Sequence, residues 1–388
     1  MVILDYPYVS DYLQKSLAEA NIPVIQTDSA RKLGLDSDLN WISEEDAIKA
    51  FKTDNRIPLY TNSENAISWI SKNLAFTDLP DKINIFKDKV RFRKLISHLY
   101  PDHYFKEVLL ADIDKLNKEG LPYPLILKPA VGFFSLGVYK LNNRDDWQTV
   151  QSQINDEITK ASQIYPDDVF NSSRFILEEC IPGREFAIDT YFNEKGQAVI
   201  MNISEHYFGS SEDLGDRLYQ SRPELFDELY SPFLSKLQTI GDLAQLKNFP
   251  VHVEVRQRPD GQIIPIEVNP MRFGGWCTTA DLAGLSYGIN PIEMFLNQEK
   301  PDWDKILSSR KGKAYNLVLL DNITGIPGDE IQGFDYDKLS SRFRDVMDIR
   351  EIDYTKFPVF GFLLVQTDLD EEPVLAELLQ SDLREYLM

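Results

Sequence analysis

Residues 251–273 (VHVEVRQRPDGQIIPIEVNPMRF) constrain the fold most strongly, because two apolar runs flank the turn-forming sequence Pro259-Asp260-Gly261. Proline presets φ, aspartate can cap its own backbone, and glycine can adopt a positive φ. The pattern predicts a β-hairpin in which Glu254 lies opposite Glu267 or within one residue of it. Like charges that face each other across a ladder destabilise it, so a bound cation is the obvious candidate to offset the repulsion. Pro265 belongs at a sheet edge or a bulge, which leaves the register open.

The acidic face of this hairpin suits a divalent metal ion. Glu254, Glu267 and Asn269 offer two carboxylates and an amide oxygen, and the neighbouring positions are nearly all apolar. Mg²⁺ typically takes only one or two protein carboxylates, together with nucleotide phosphates and water. Arg256 and Arg272 lie close in the sequence, so an ordinary surface salt-bridge cluster is the alternative interpretation.

The composition of the chain bounds its class. With 388 residues and 43% hydrophobic content, it should divide into two or three domains rather than form one core. Its net charge of −21 repels phosphate backbones and anionic lipids, which argues against nucleic-acid and membrane partners. Cys180 and Cys277 lie far apart, in no metal-binding spacing, and no window reaches transmembrane length. We therefore expect a cytoplasmic multidomain protein.

The first part of the chain has the pattern of an α/β unit. Strand and helix patterns alternate at 2–4, 10–20, 22–26, 57–60 and 65–74. The loops at 6–8 and 61–63 follow strands, where open α/β sheets bind ligands, although ordinary connections explain them equally well. Neither loop contains GxGxxG, which argues against a dinucleotide-dependent oxidoreductase.

Strand and helix patterns continue beyond this unit. The predicted helices are 87–99, 144–163, 224–246 and an acidic closing helix at 370–387. Besides the hairpin, the predicted strands lie within 123–140 and at 174–181, 185–192, 197–203, 315–320 and 359–366. The stretch 205–223 is long and polar, which indicates either function or mobility.

A lysine and a small-residue loop suggest an anion site. Lys128 ends an apolar strand, and Gly132, Ser135 and Gly137 follow it. Backbone amides of small residues can approach a phosphate closely, and a lysine supplies the opposite charge. A solvated lysine at a strand end is the alternative, because this pattern alone has little specificity.

The stretch LEECIPGRE at 177–185 has a similar double interpretation. An edge backbone between Glu179 and Ile181 could hydrogen-bond an adenine, and Glu185 could bind ribose hydroxyls. Taken alone, the segment is better explained as an ordinary charged hairpin corner.

The order of these pieces resembles the ATP-grasp superfamily, specifically its carboxylate–amine ligase branch. Asp88-Lys89, the strand-lysine-loop, EE…GRE and VEVR…IEVNP occur in that order over about residues 85–295. The resemblance implies an α/β (α+β) ATP-grasp fold with a Rossmann-like N-terminal domain, a small lid subdomain and a C-terminal mixed-sheet domain. It divides the chain into a pre-ATP-grasp domain, a helical connector, a lid subdomain and a metal-binding domain, at 1–85, 86–121, 122–181 and 182–388.

The resemblance also implies roles for individual residues. The nucleotide would be bound by Lys89, Lys128, Ser135, Gly137, Glu178, Glu179, Ile181 and Glu185. Magnesium would be bound by Glu254, Glu267 and Asn269. Arg272 would hold the acyl phosphate, and Lys128 would hold the group that is transferred.

Two features depart from the family pattern. Phe133 and Phe134 replace the usual glycines of the lid loop, and Leu136 stands where a basic residue often lies. Met271 precedes Arg272 as an added residue and displaces the arginine by one position. These departures bear on lid closure and on the catalytic role of Arg272.

The implied reaction uses ATP and Mg²⁺, or alternatively Mn²⁺, to join a small-molecule carboxylate to a small-molecule amine through an acyl phosphate. Alternatives are a ligase for a peptide or protein side chain, a kinase, and a non-catalytic ATP-binding protein. A homodimer is compatible with the sequence. Candidates for the substrate pocket are Tyr6, Tyr8, Thr61, Asn62, Arg256 and the loop at 205–223.

Overall fold

The computed structural model describes residues 1–132, 137–161, 171–209, 215, 217–368 and 371–388, and for 155–161 and 171–173 it describes the backbone only. The described strands form three sheets, one of four strands, one of eight and another of four. Among the described residues, no helix combines the length and apolar composition that crossing a bilayer requires.

The N-terminal unit has a parallel sheet of order β3-β2-β1-β4, which confirms the predicted α/β unit. Its strands are β1 (Val2–Ile3), β2 (Pro23–Ile25), β3 (Asn40–Ile42) and β4 (Tyr60–Thr61). Its helices are α1 (Asp11–Glu19), α2 (Asp28–Lys32), α3 (Glu44–Thr53) and α4 (Ile67–Asn73). Because the strands are parallel, the loops after β1 and β4 lie at the same edge of the sheet.

The basic segment predicted as one helix at 87–99 forms helix α6 (Lys89–Ile96) and a 3₁₀ turn at Ser97–Leu99. Helix α5 (Leu79–Lys87) precedes it and was not predicted, and Asp88 between the two helices has an extended backbone. The Asp88 carboxylate accepts hydrogen bonds from the amides of Val90 and Arg91 at 3.0 and 3.1 Å. This N-cap begins α6 at Lys89 and fixes the direction of that lysine's helix.

The second sheet is antiparallel and has the order β5-β8-β6-β7. Its strands are β5 (Phe105–Leu109), β6 (Leu125–Val131), β7 (Tyr139–Leu141) and β8 (Asn171–Glu179), and helix α7 spans Asp146–Ala161. Leu125, Leu127, Trp147 and Phe175 are buried in the core between the sheet and the helix. Strand β5 was not predicted and lies inside the segment expected to be a helical connector.

The third sheet has eight strands in the order β13-β12-β9-β10-β11-β14-β16-β15. They are β9 (Arg184–Phe192), β10 (Ala198–Tyr207), β11 (Leu218–Ser221), β12 (Phe249–Gln257), β13 (Ile263–Pro270), β14 (Ala314–Asp321), β15 (Asp345–Glu351) and β16 (Val359–Thr367). Every described strand pair is antiparallel, where a mixed sheet was expected. Short connections between sequence neighbours produce this arrangement, as in β9-β10 and β12-β13.

The remaining helices pack around this sheet. They are α8 (Pro223–Ala244), α9 (Thr278–Tyr287), α10 (Pro291–Leu296), α11 (Trp303–Ser308), α12 (Tyr336–Ser340) and α13 (Glu372–Gln380). The closing helix is shorter than the predicted 370–387, because Ser381 is extended and Leu383 adopts a left-handed conformation. One apolar core joins the N-terminal unit to the third sheet.

Arg217 anchors the closing helix to the third sheet. Its buried guanidinium donates hydrogen bonds to the carbonyl oxygens of Leu379 at 2.7 Å, Leu378 at 3.4 Å and Ser381 at 3.5 Å. A cation at this position complements the carbonyl groups left without partners at a helix C-terminus.

We expect Arg217→Met to lower the free energy of unfolding by about 2 kcal/mol, because buried carbonyl groups lose their donors while side-chain volume is largely kept. Urea unfolding followed by circular dichroism measures this difference. The matched control is Arg31→Met, which removes an exposed arginine and its ion pair with Asp28. The control should change stability by less than about 0.5 kcal/mol, and an equal effect in both variants would contradict the anchoring role.

Candidate active site

The hairpin of β12 and β13 places its two acids opposite each other. Glu254 pairs directly with Glu267, which confirms the pairing predicted from the sequence. The register then shifts, so that Val255 pairs with Pro265 and Ile266 is the extra residue of a β-bulge. Because β13 is the edge strand, Pro265 disrupts no inner ladder. The bulge therefore sets which residues of the two strands share a face.

Side chains of the protein itself offset much of the repulsion between the two acids. The Nζ of Lys89 lies 3.2 Å from Oε2 of Glu267 and donates a hydrogen bond to the carbonyl oxygen of Gly132 at 3.0 Å. The Nε2 of His252 lies 3.7 Å from Oε1 of Glu254. The acid pair alone therefore does not require a bound ion. A divalent cation is suggested instead by the oxygen ligands that Glu254, Glu267 and Asn269 can supply together.

That donor set fits a hard divalent cation shared with a nucleotide. The side chains of Glu254 and Glu267 keep 17% and 19% exposure, so a ligand can reach both carboxylates. With its amide oriented to satisfy both ends, Asn269 donates to Oε1 of Glu267 at 3.1 Å and to Oε1 of Glu64 at 2.9 Å. Its amide must rotate before its oxygen can join Glu267 on a cation. Among the described residues, no three His, Cys, Asp or Glu side chains form a metal cage, whereas Mg²⁺ needs only one or two carboxylates beside phosphates and water.

Arg272 lies beside these acids and is held by the N-terminal unit. Its Nη2 donates to Oε1 of Glu64 at 2.7 Å, and its Nη1 donates to the carbonyl oxygen of Phe273 at 2.8 Å. The added Met271 adopts a left-handed backbone with φ of 68°, and its carbonyl oxygen accepts a hydrogen bond from the amide of Thr61. The left-handed conformation of Met271 accommodates the extra residue, and Arg272 still lies near the acids of the hairpin.

Glu64 is the residue that the sequence analysis missed. It lies in a short 3₁₀ turn after β4 and is buried between Arg272 and Lys87. Burial alone raises the pKa of Glu64, but Lys87 and Arg272 outweigh it and lower the pKa to about 2. The signal in the sequence was its position just after the loop at 61–63, where α/β sheets bind ligands.

Lys128 lies within β6 and not at its end as predicted, and it belongs to a buried ionic network instead of being solvated. Its Nζ lies 2.8 Å from Oε1 of Glu178, whose Oε2 is 2.6 Å from Nη2 of Arg93. Burial raises the pKa of Glu178, but Arg93 and Lys128 outweigh this effect and hold the pKa well below its usual range. The network keeps Glu178 ionised and fixes the position of Lys128.

The segment from Glu179 to Ile181, at the end of β8, is held in place by side-chain contacts. Oε1 of Glu179 contacts Nδ1 of His103 at 3.1 Å and also forms an ion pair with Arg258. The guanidinium of Arg256 donates to the carbonyl oxygen of Ile181 at 2.9 Å. These contacts hold the segment expected to bind adenine.

Glu185 is buried and charged. Its Oε2 accepts a hydrogen bond from Nε of Arg256 at 2.6 Å, and its Oε1 lies 3.3 Å from Nδ1 of His206. Burial raises its pKa, but His206 and Arg256 lower it to about 2. Its expected contact with ribose remains a prediction.

Gly137 is the last small residue assigned to the lid loop, and the structure describes it. Its φ is 72°, and an added Cβ would lie 3.1 Å from Cγ of Pro129, so glycine suits this position in both backbone and space. Ser135, Phe133, Phe134 and Leu136 lie outside the described residues.

The candidate pocket residues of the N-terminal unit divide into two groups. Thr61 and Asn62 are buried, and their side chains hydrogen-bond to the backbone. The hydroxyl of Thr61 donates to the carbonyl oxygen of Met271, and the amide of Asn62 bonds to the backbone of Asp5 and Tyr8. The ring of Tyr8 stacks on Trp276 with centroids 6.1 Å apart, so this pair lies at the interface of the two units. Tyr6 is exposed, and its role as a pocket residue remains a prediction.

Cys277 follows Trp276 and is buried. Burial raises the pKa of its thiol to about 12, so it does not form a thiolate near neutral pH. The structure therefore agrees with a structural cysteine rather than a nucleophile.

The part of the chain that carries Lys128 and the acids of the hairpin matches a known family. A family model described as an ATP-grasp domain matches residues 121–280. An L-arginine-specific L-amino acid ligase of Bacillus subtilis is 25% identical over 163 residues, which cover 40% of this chain and 36% of that relative. The match thus spans about a third of the relative's length.

Solved structures resemble the whole chain in fold. An L-amino acid ligase from Bacillus licheniformis gives a TM-score of 0.67 at 17% identity, covering 100% of this chain and 97% of that chain. A biotin carboxylase from Campylobacter jejuni, solved as a complex with an ATP analogue, gives 0.62 at 13% identity and covers 100% and 91%. Residues 121–280 therefore match an ATP-grasp domain, and the chain as a whole shares the fold of these solved structures.

The depressed pKa of Glu64 predicts a pH-dependent contribution to stability. Because the folded pKa is about 2, below the ordinary value of 4.5, this contribution is present above pH 4.5 and is lost as pH falls toward 2. We expect Glu64→Gln to lower the free energy of unfolding at pH 7 by about 3 kcal/mol, and by progressively less below pH 4.5. Urea unfolding at pH 7, 4 and 3 tests this, with Glu45→Gln as the exposed control. A difference that stays constant with pH would refute it.

Proposed function

We propose that this protein is an ATP-dependent ligase that forms an amide or peptide bond between amino-acid-like small molecules through an acyl phosphate. The observation that carries the proposal is the direct pairing of Glu254 with Glu267, beside Lys89 and within the field of Arg272. The similarity to amino acid ligases supports a small-molecule substrate.

The proposed reaction begins when a carboxylate oxygen of the acid substrate attacks the γ-phosphorus of ATP, which releases ADP. The nitrogen of the amine then attacks the carbonyl carbon of the acyl phosphate, phosphate leaves, and the nitrogen loses a proton. Lys89 and Lys128 would offset phosphate charge, and Arg272 would hold the acyl-phosphate oxygens. Glu64 would fix the orientation of the Arg272 guanidinium, which agrees with the buried contact of 2.7 Å.

A divalent ion would be held by Glu254 and Glu267, with Asn269 joining after its amide rotates. When bound, Mg²⁺, or Mn²⁺ in its place, would neutralise the charge that develops during phosphoryl transfer. Ser135, Gly137, Glu178, Glu179, Ile181 and Glu185 keep their proposed nucleotide roles.

We also propose that the chain divides into domains at 1–85, 86–121, 122–181 and 182–388. The strand pairing changes the assignment of one element. Strand β5, in the second segment, pairs with β8 and so belongs structurally to the lid sheet. A cytoplasmic location is supported by two free cysteines, Cys180 and Cys277.

We expect Glu267→Gln to reduce ADP formation at least about 100-fold while leaving the circular dichroism spectrum unchanged, because an amide binds Mg²⁺ more weakly than a carboxylate. The assay supplies ATP, Mg²⁺, a library of amino acids and hydroxylamine, and it measures ADP and hydroxamate. Glu45→Gln is the matched control and should retain wild-type rates. Wild-type ADP release in Glu267→Gln would remove the metal role of Glu267.

The same assay separates the competing functions. Hydroxamate forms from an acyl phosphate, so ADP without hydroxamate would favour a kinase. Tight ATP binding without ADP formation across the library would favour a non-catalytic ATP-binding protein. ADP and hydroxamate that form only with peptides or proteins would favour a side-chain ligase.

A further inference from the structure

His252 and Asp189 form a buried pair on neighbouring strands of the third sheet. They lie directly opposite each other in the register of β12 and β9, and both are almost completely buried. Nδ1 of His252 lies 2.7 Å from Oδ1 of Asp189, the distance of a strong hydrogen bond. The sequence analysis assigned no role to either residue.

Two further donors fix the Asp189 carboxylate. The amide of Gly274 donates to Oδ1 at 3.1 Å, and the hydroxyl of Thr279 donates to Oδ2. With these donors around it, Asp189 acts as an acceptor, so the Nδ1–H of the His252 ring donates the hydrogen bond to it. Asp189 thereby also connects the ring to the segment 274–279, which follows Arg272.

The anchored ring presents its Nε2 edge to Glu254. His252 and Glu254 are two residues apart on β12 and therefore share a face of the sheet. The separation of 3.7 Å between Nε2 and Oε1 of Glu254 exceeds a hydrogen bond and places the edge of the ring directly beside that carboxylate. A partly exposed glutamate has several rotamers, and a fixed neighbour restricts them.

We propose that His252, held by Asp189, is a positioning residue that directs the Glu254 carboxylate toward the divalent ion. The inference rests on the proposed metal role of Glu254 but not on the ligase reaction. Partners that orient a metal ligand typically change metal affinity 10–100-fold when they are replaced. The sharpest alternative is that His252 only fills the core.

Two substitutions of His252 separate these roles. Asparagine places an amide nitrogen near the position of Nδ1, so His252→Asn keeps a donor for Asp189 and loses the edge that faces Glu254. Glutamine reaches the position of Nε2, so His252→Gln keeps a polar group beside Glu254. His98→Asn is the matched control, because His98 is exposed and lies outside the site.

The experiment titrates the full chain with Mn²⁺ in the presence of a non-hydrolysable ATP analogue and measures free Mn²⁺ by electron paramagnetic resonance. Thermal unfolding without metal is measured in parallel. We expect His252→Asn to weaken Mn²⁺ binding about 10–100-fold with little change in Tm. We expect His252→Gln to recover part of that affinity and His98→Asn to match the wild type.

Three results would overturn the inference: unchanged Mn²⁺ affinity in His252→Asn, an equal loss of affinity and Tm in both His252 variants, and a wild-type chain that binds no Mn²⁺ with the analogue. Failure of the ligase proposal looks different. In that case the wild type binds Mn²⁺ and the analogue, the His252 variants behave as expected, and no hydroxamate forms with any acid.

Discussion

The pairing of two carboxylates across the β12-β13 ladder is the constraint on which the rest of the site depends. Glu254 and Glu267 repel each other across the ladder, and the bulge at Ile266 lies directly beside their pair. Polar side chains from other positions therefore lie beside them. Lys89, at the start of helix α6, contacts Glu267. His252 lies two residues before Glu254 on β12 and contacts that acid. The acids are thus contacted by side chains from separate parts of the chain.

Three ion pairs with a buried carboxylate join different secondary-structure elements of the fold. The pairs are Glu64–Arg272, Glu178–Lys128 and Glu185–Arg256. Burying two charges removes them from water, and their mutual attraction often does little more than offset that loss. Such pairs are weak stabilisers, but they hold charged groups in fixed positions. A site that must bind phosphate charge gains from groups whose orientation is set before the ligand arrives.

Local chemistry accounts for the parts of the site that the sequence predicted. The turn at Pro259-Asp260-Gly261 and the alternation around it determine a hairpin, so the pairing of Glu254 with Glu267 could be predicted. Glu64 could not, because its contact with Arg272 joins residues 208 positions apart. The orientation of the Asn269 amide depends in the same way on Glu64. The predicted helix boundary was wrong where an N-cap decides it, since Asp88 starts α6 at Lys89.

The sequence by itself determined the kinds of groups available and their order: a lysine on an apolar strand, a charged hinge and an acidic hairpin, which together indicated the superfamily. These signals are local, since turn residues and periodicity act over a few positions. Only the tertiary structure decided which charges meet. It placed Lys128 on Glu178, gave Arg272 its partner in the N-terminal unit and anchored His252 on Asp189. Electrostatic contacts depend on distance in space and on burial, and neither quantity is written in the spacing of residues along a chain.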